Sequence, residues 1–242
     1  MERHARHAYM GVHGTGMRLP VGLFGKAVAS NPAISVVGNT AWAASNASQL
    51  TVATSWANVG NLALLPFATG GASNNYPTAV SATKTGSWTC VASYFDTTTN
   101  TYVGIWMATV TAKGSDTVAV ADANIGTNFG SLWCREFTAT SPNWTAIAAS
   151  NVAGSSGPGH GSGTTVDCPS LAASGDNNLY VGVVRSVYGD MPSGSTSGFI
   201  YEGDSSAADQ ILYDTAVAGS VAPTSTQTNT GTYDAIGVML RA

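Results

Sequence analysis

The sequence predicts an all-β chain: an antiparallel, jelly-roll-like β-sandwich with an extended N-terminal arm. Three observations carry this. Short runs rich in Val, Ile, Trp and Tyr recur from residue 35 to the C-terminus. Clusters of Gly, Asn, Asp and Pro separate them at the spacing of roughly 8 to 12 residues that sandwiches and barrels show. No window carries helical amphipathicity of useful length.

The 242 residues fit one large β-domain. Residues 1–34 read as a basic arm without a periodic apolar face, closed by the turn signal Asn31-Pro32, and residues 35–242 as the sandwich. In chain order the candidate strands are 49–57, 62–67, 78–83, 88–95, 102–112, 117–121, 132–138, 144–149, 164–167, 179–187, 198–202, 210–217 and 234–241. Alternation is cleanest in the last, where Ile236, Val238 and Leu240 oppose Ala235, Gly237, Met239 and Arg241, as in a strand with one face buried. In 179–187, Leu179, Val181 and Val183 oppose Tyr180, Gly182 and Val184. Between the strands at 88–95 and 102–112, the polar run Asp96-Thr97-Thr98-Thr99-Asn100 closes a hairpin. That hairpin brings Tyr94 and Phe95 beside Tyr102 and Val103 for cross-strand contact. Two segments read as loops: Asn151–Gly163, too glycine-rich to form core, and Ala218–Thr232, Ser/Thr-rich and crossing one end of the sandwich.

Charged residues are 9% of the chain, against about a quarter in ordinary domains, so neutral hydroxyl and amide groups cover the surface. With 44% hydrophobic residues the chain is nonetheless a folding one, unlike disordered chains of low hydrophobicity and high charge. Arg3, Arg6, Arg18 and Lys26 against Glu2 give residues 1–26 a balance of +3, while the 5 basic and 12 acidic residues that follow carry −7. Four cations spread over 26 residues without interleaved aromatics are not a nucleic-acid patch. An arm docking on a partner subunit fits better, with Arg3, Arg6, Met10, Met17, Arg18, Leu19, Leu23 and Phe24 as its contacts.

Cys90, Cys134 and Cys168 form no CxxC pair, and apolar packing in strands accounts for them, so all three are expected reduced and buried. No metal is expected, because His4, His7 and His13 lie in the arm and His160 stands alone among glycines. Ala27-Val28-Ala29 mimics a leader cleavage site, but glycines and Pro20 break the stretch before it, so no signal peptide and no membrane span are expected.

Catalytic patterns are thin. Neither Gly194–Gly198 nor Gly159–Gly163 puts serine at the centre of a GxSxG elbow, and His160 is the one histidine outside the arm that a triad has for a base. Glu136, Glu202, Asp204 and Asp214 are candidate glycosidase carboxylates, with solvated strand-edge charge as the plain alternative. Gly11–Gly16 opens no strand-helix unit and is no phosphate cradle. Among six tryptophans, Trp42 and Trp144 are the possible glycan-facing aromatics. No catalytic residue and no cofactor are assigned.

The stretches Gly86–Ala92 (GSWTCVA), Val103–Val120 (VGIWMATVTAKGSDTVAV), Leu132–Phe137 (LWCREF) and Asp234–Leu240 (DAIGVML) resemble β-sandwich domains of bacteriophage virion proteins. The resemblance is to minor tail or decoration proteins of phages infecting actinobacteria, covers about residues 50–242, and rests on strand-packing motifs. It implies a non-enzymatic virion structural protein, assembled in the host cytoplasm into an extracellular particle. Its partners would be other virion subunits and further copies of itself, with a host surface glycan as a further ligand. The alternative is a secreted, lectin-like carbohydrate-binding sandwich.

Overall fold

The computed structural model describes residues 30–45, 49–70, 77, 79–121, 130–151, 153–154, 157–158, 160–187, 191, 194–204 and 208–242. These residues are strands and connections. In chain order the strands are β1 (Ile34–Ser45), β2 (Gln49–Trp56), β3 (Leu62–Gly70), β4 (Ala79–Ser81), β5 (Thr89–Asp96), β6 (Thr101–Thr109), β7 (Gly114–Ala121), β8 (Gly130–Ala139) and β9 (Thr145–Asn151). There follow β10 (Ala153–Gly154), β11 (Gly157–Pro158), β12 (His160–Asp167), β13 (Leu171–Ala172), β14 (Asn178–Ser186), β15 (Ile200–Asp204), β16 (Asp209–Val217), β17 (Ser220–Val221) and β18 (Thr224–Arg241). Every pairing among them is antiparallel.

Two large sheets face each other. One runs β1-β8-β3-β6-β5; the other runs β12-β18-β14-β16-β15, with β9 also paired to β18. Each facing sheet comes from one contiguous half of the chain. Between them lie Leu62, Leu64, Val103, Ile105, Trp133 and Phe137 from the first sheet and Val181, Val183, Ile211, Tyr213, Ile236 and Val238 from the second. Fully burying each aliphatic side chain contributes about 1.5–3 kcal/mol, so this layer is the main cohesive element.

Both sheets are covered on their outer faces as well. A three-stranded sheet, β2-β7-β4, lays Leu50, Val52, Trp56, Val118 and Val120 on Leu65, Phe67, Tyr102 and Leu132. β3 is therefore buried at every residue, and its LALLPF run is the continuous apolar text of a strand covered on both sides. Pro66 sits where the ladder to β8 skips Leu65 and Pro66, so its missing N–H breaks no bond there. On the far side, Val166, Cys168 and Leu171 cover Tyr180, Leu212 and Met239 of the second sheet. The last strand is consequently buried on both faces from Tyr233 to Leu240, where one buried face was expected.

The hairpin between β5 and β6 forms in the expected register, Tyr94 opposite Val103 and Phe95 opposite Tyr102. Asp96 closes it by accepting from Thr98 N (2.7 Å) and Thr99 Oγ1 (2.8 Å), with Asn100 left-handed at φ 54°.

Two segments read as loops are strands. His160–Gly163 begins β12, and Thr224–Thr232 is the first half of β18. Glycine at 161 is a packing requirement, since a Cβ there would lie 2.1 Å from the Tyr233 ring. The ribbon shifts register between Gly163 and Thr165, and Gly163 takes φ +148°. Gln227 spans the shift, donating to the carbonyls of Gly163 and Gly231, the latter at 2.7 Å. Beyond it the ribbon folds back over the outer face, where Tyr180 OH donates to Pro169 O (2.9 Å) and Tyr201 OH to Thr224 O (2.8 Å).

Candidate functional site: polar clamps and the junction of the arm

Among the few charges carried by the strands, four are held by definite partners and form clamps: Arg135, Arg185, Asp116 and Glu136. Arg135 is on the face of β8 that looks between the sheets, because Trp133 and Phe137 at i±2 are in that core. Its Nη1 lies 3.2 Å from Glu202 Oε1, its Nη2 donates to Tyr213 OH at 2.6 Å, and Tyr213 OH donates to Glu202 Oε1 at 3.1 Å. Burial, reinforced by the Glu202 charge, pushes the Tyr213 phenol up to about 12, so it stays a donor at neutral pH. The group closes the side of the sandwich between β1 and β15.

Arg185 lies at one end of the same interlayer. Its Nη1 is 2.8 and 2.9 Å from the two oxygens of the fully buried Asp209. In register it stands opposite Asp209 on β16 and Asp234 on β18. Thr101 Oγ1 of the facing sheet donates to Asp234. The guanidinium lies on Gly70 of β3, where a Cβ would meet Nη2 at 2.4 Å. A buried charge is tolerated only when paired in this way.

Asp116 and Glu136 tie connections to the outer sheet. Asp116 Oδ2 accepts from Trp56 Nε1 (3.0 Å) and Lys84 N (2.9 Å), and Oδ1 from Thr83 N (3.1 Å), Thr83 Oγ1 (2.8 Å) and Thr117 N (2.9 Å). Burial alone would raise its pKa, but these hydrogen bonds to the ionised form outweigh it and hold the carboxyl at about 2. Glu136, on the Cys134 face of β8, accepts from Ala57 N (2.8 Å), Asn58 N (3.1 Å) and Asn61 Nδ2 (2.5 Å). It caps the turn after β2 and is 5% exposed, so solvated edge charge, its expected reading, is not its state.

Of the carboxylates read as glycosidase candidates, Glu202 belongs to the Arg135 clamp. Asp214 accepts from Ala216 N at 2.8 Å, two residues on in its own strand. Glu136 faces the outer sheet and Glu202 the interlayer, so those two share no groove. For Asp204 the main chain alone is described, as for His160, which stands opposite Asp234 in the ladder. Among the described residues no three His, Cys, Asp or Glu side chains come together as ion ligands.

All three cysteines are free, as expected, but only Cys134 and Cys168 are buried; Cys90 is exposed on the edge strand β5. Burial pushes the Cys134 thiol up to about 12 and raises Cys168 as well. Trp144 is half-buried, with its indole N–H on Gly60 O at 3.1 Å and its ring against the central core. The main chain of Trp42 pairs with Trp133, and its side chain lies outside the described residues. So do the arm positions Arg3, Arg6, Met10, Met17, Arg18, Leu19, Leu23 and Phe24.

The chain enters the sandwich at one of its two ends. Asn31 Nδ2 donates to Ser174 O and Asp176 O, both at 2.8 Å, and Asn177 Nδ2 donates to Asn31 O at 2.9 Å. The chain thus enters the sandwich at the end formed by the 173–178 turn. β1, β3 and β7 end, and β8 begins, at the opposite end, where the β5–β6 turn also lies. On the facing sheet β14 and β15 end there and β16 begins. Compared with protein-family models, with curated proteins and with solved structures, the chain finds no match.

Proposed function

We propose that this chain is a structural component of a bacteriophage virion, of minor tail or capsid decoration type, which docks on neighbouring subunits through its N-terminal arm. The observation that carries the reading is the position of the arm's junction. The arm joins the body at the end pinned by Asn31, which leaves the opposite end, with the β5–β6 turn and the ends of β14 and β15, away from that attachment. Such a body holds on at one end and offers a surface at the other. The clamps agree with this role: Arg135, Arg185, Asp116 and Glu136 spend their hydrogen bonds on joining strands and layers, as a rigid spacer requires. The strand motifs that resemble virion sandwiches, GSWTCVA and DAIGVML among them, lie in this body.

The test is incorporation. Particles purified from a culture expressing the full chain should contain it at fixed stoichiometry by quantitative mass spectrometry. A chain lacking residues 1–30 should fold and stay in the soluble fraction. Finding the full chain only as free protein, or the shortened chain in particles at full occupancy, overturns the reading.

A further inference from the structure

Where the β5–β6 turn meets β18, the hydroxyl protons can be counted, and they come out one short. Asp96 Oδ2 lies 2.8 Å from Thr99 Oγ1, Thr99 Oγ1 lies 2.7 Å from Thr101 Oγ1, and Thr101 Oγ1 is hydrogen-bonded to Asp234 of the facing sheet. Four oxygens thus stand in a row with three contacts between them and a carboxyl group at each end. Each threonine hydroxyl has one proton to donate. If Thr99 gives its proton to Asp96 and Thr101 gives its own to Asp234, the contact between the two hydroxyls holds none, and two oxygens face each other through lone pairs. Asp96 also accepts from Thr98 N at 2.7 Å, but on its other oxygen, so that bond does not fill the gap. A third proton completes the row, and the carboxyls at its ends are the groups in it able to bring one.

Charge points the same way independently. Asp209 and Asp234 are fully buried and Asp96 is 4% exposed. Among the described residues the cation beside them is Arg185, in register with both Asp209 and Asp234, and its Nη1 is used by the two oxygens of Asp209. Three ionised carboxylates against one guanidinium leave this end of the interlayer at −2, and buried charge without a partner is costly. One bound proton brings it to −1. The other titratable residue in this row of the ladder is His160, opposite Asp234 in β12, of which the main chain alone is described. We infer that Asp96 and Asp234 hold one proton between them at neutral pH, so that Asp96, Thr99, Thr101 and Asp234 form a pH-sensitive latch between the two facing sheets. The two carboxyls titrate as a pair. The latch ties the β5–β6 turn to β18 at the end of the sandwich away from the Asn31 junction. Losing the proton restores the second charge and unmakes one of the three contacts. In the unfolded chain both carboxyls are ionised above about pH 4. The folded chain therefore binds more protons than the unfolded one, and its stability falls as pH rises from there, levelling off once the latch has let go.

The experiment counts that proton on the full chain. Calorimetric unfolding at pH 7 in buffers of different ionisation enthalpy gives the number of protons exchanged with solvent. The wild type should release about one proton more than Asp234→Asn or Asp96→Asn, because in each variant an amide N–H fills the row at every pH. In urea, its unfolding equilibrium constant relative to either variant should rise by up to about tenfold per pH unit from about pH 4 until the latch lets go. His160→Gln should leave the extra proton in place. Assigned aspartate carboxyl carbon resonances of the wild type, which need no variant, should show one protonated group distributed over Asp96 and Asp234 at pH 7. Equal proton release by the wild type and both Asn variants overturns the inference. Loss of the extra proton in His160→Gln overturns it too, since the proton then belongs to the imidazole. A carbon spectrum with Asp96 and Asp234 both fully ionised at pH 7 has the same force, whatever the variants do.

Discussion

Removing the charge of Asp116 tests how much one carboxylate contributes to holding the outer sheet and the connection that leaves it together. Five donors converge on it from β2, β7 and residues 83–84. Its pKa falls from 3.8 to about 2 on folding. At 1.36 kcal/mol per pKa unit this is at most about 2.5 kcal/mol, and screening at a partly exposed site brings it to about 1–2 kcal/mol. The folded-state pKa is the lower one. The contribution is therefore fully present above the unfolded value near 4 and disappears as pH falls toward 2. Asp116→Asn keeps the shape and removes the charge. Urea unfolding at several pH values should show the variant less stable than the wild type by about 1–2 kcal/mol near neutrality, with the two curves converging by about pH 2. Asp116→Ala also strands the indole N–H of Trp56 and should cost about 1 kcal/mol more. A wild-type-minus-Asn difference that is flat from pH 6 to pH 2 would refute the reasoning.

Three further outcomes follow from the geometry. Gly161→Ala, whose Cβ would lie 2.1 Å from the Tyr233 ring, should destabilise by about 2 kcal/mol or more. Adding Tyr233→Leu should remove most of that increment, which a double-mutant cycle measures. Tyr213→Phe deletes the hydroxyl between Arg135 and Glu202 and should cost about 1–2 kcal/mol in chemical denaturation; Phe137→Leu, beside it in the core, keeps those bonds and serves as the comparison. Thiol titration of the native protein should find one fast-reacting group, abolished by Cys90→Ser, with Cys134 and Cys168 reacting only on unfolding.

The alternating apolar strands were legible, down to the Tyr94–Val103 register, because side-chain period and turn chemistry both reside in local sequence. β1 was missed because Gly38-Asn39 looks like a turn, whereas the fold uses it as a bulge within a paired strand. The first half of β18 was missed because its inward residues are polar. Ser225 and Gln227 are buried through hydrogen bonds to Gln210 and to the Gly163 and Gly231 carbonyls, and no hydrophobic pattern announces that. Gly161 was read as flexibility because its reason, the Tyr233 ring, lies 72 residues away. The clamps were partly visible. A charge inside a strand of a chain with 9% charged residues is a signal, and it marks Arg135, Glu136 and Arg185. Their partners are set by sheet order, which the sequence does not display.

Because each facing sheet comes from one half of the chain, synthesis meets a problem of timing. Strands β1 to β8 can pair as soon as residue 139 has left the ribosome, and the outer sheet can close over one face. The other face, with Leu62, Leu64, Val103, Ile105 and Phe137, has no cover until β14, β16 and β18 exist, and β18 ends at Arg241. At about 5–20 residues per second, that apolar surface stays open for roughly 5–20 seconds. In this interval two nascent chains can bury it against each other. Yield should therefore respond to chaperone supply and to slow translation of residues 140–242 more than to the stability of the finished protein.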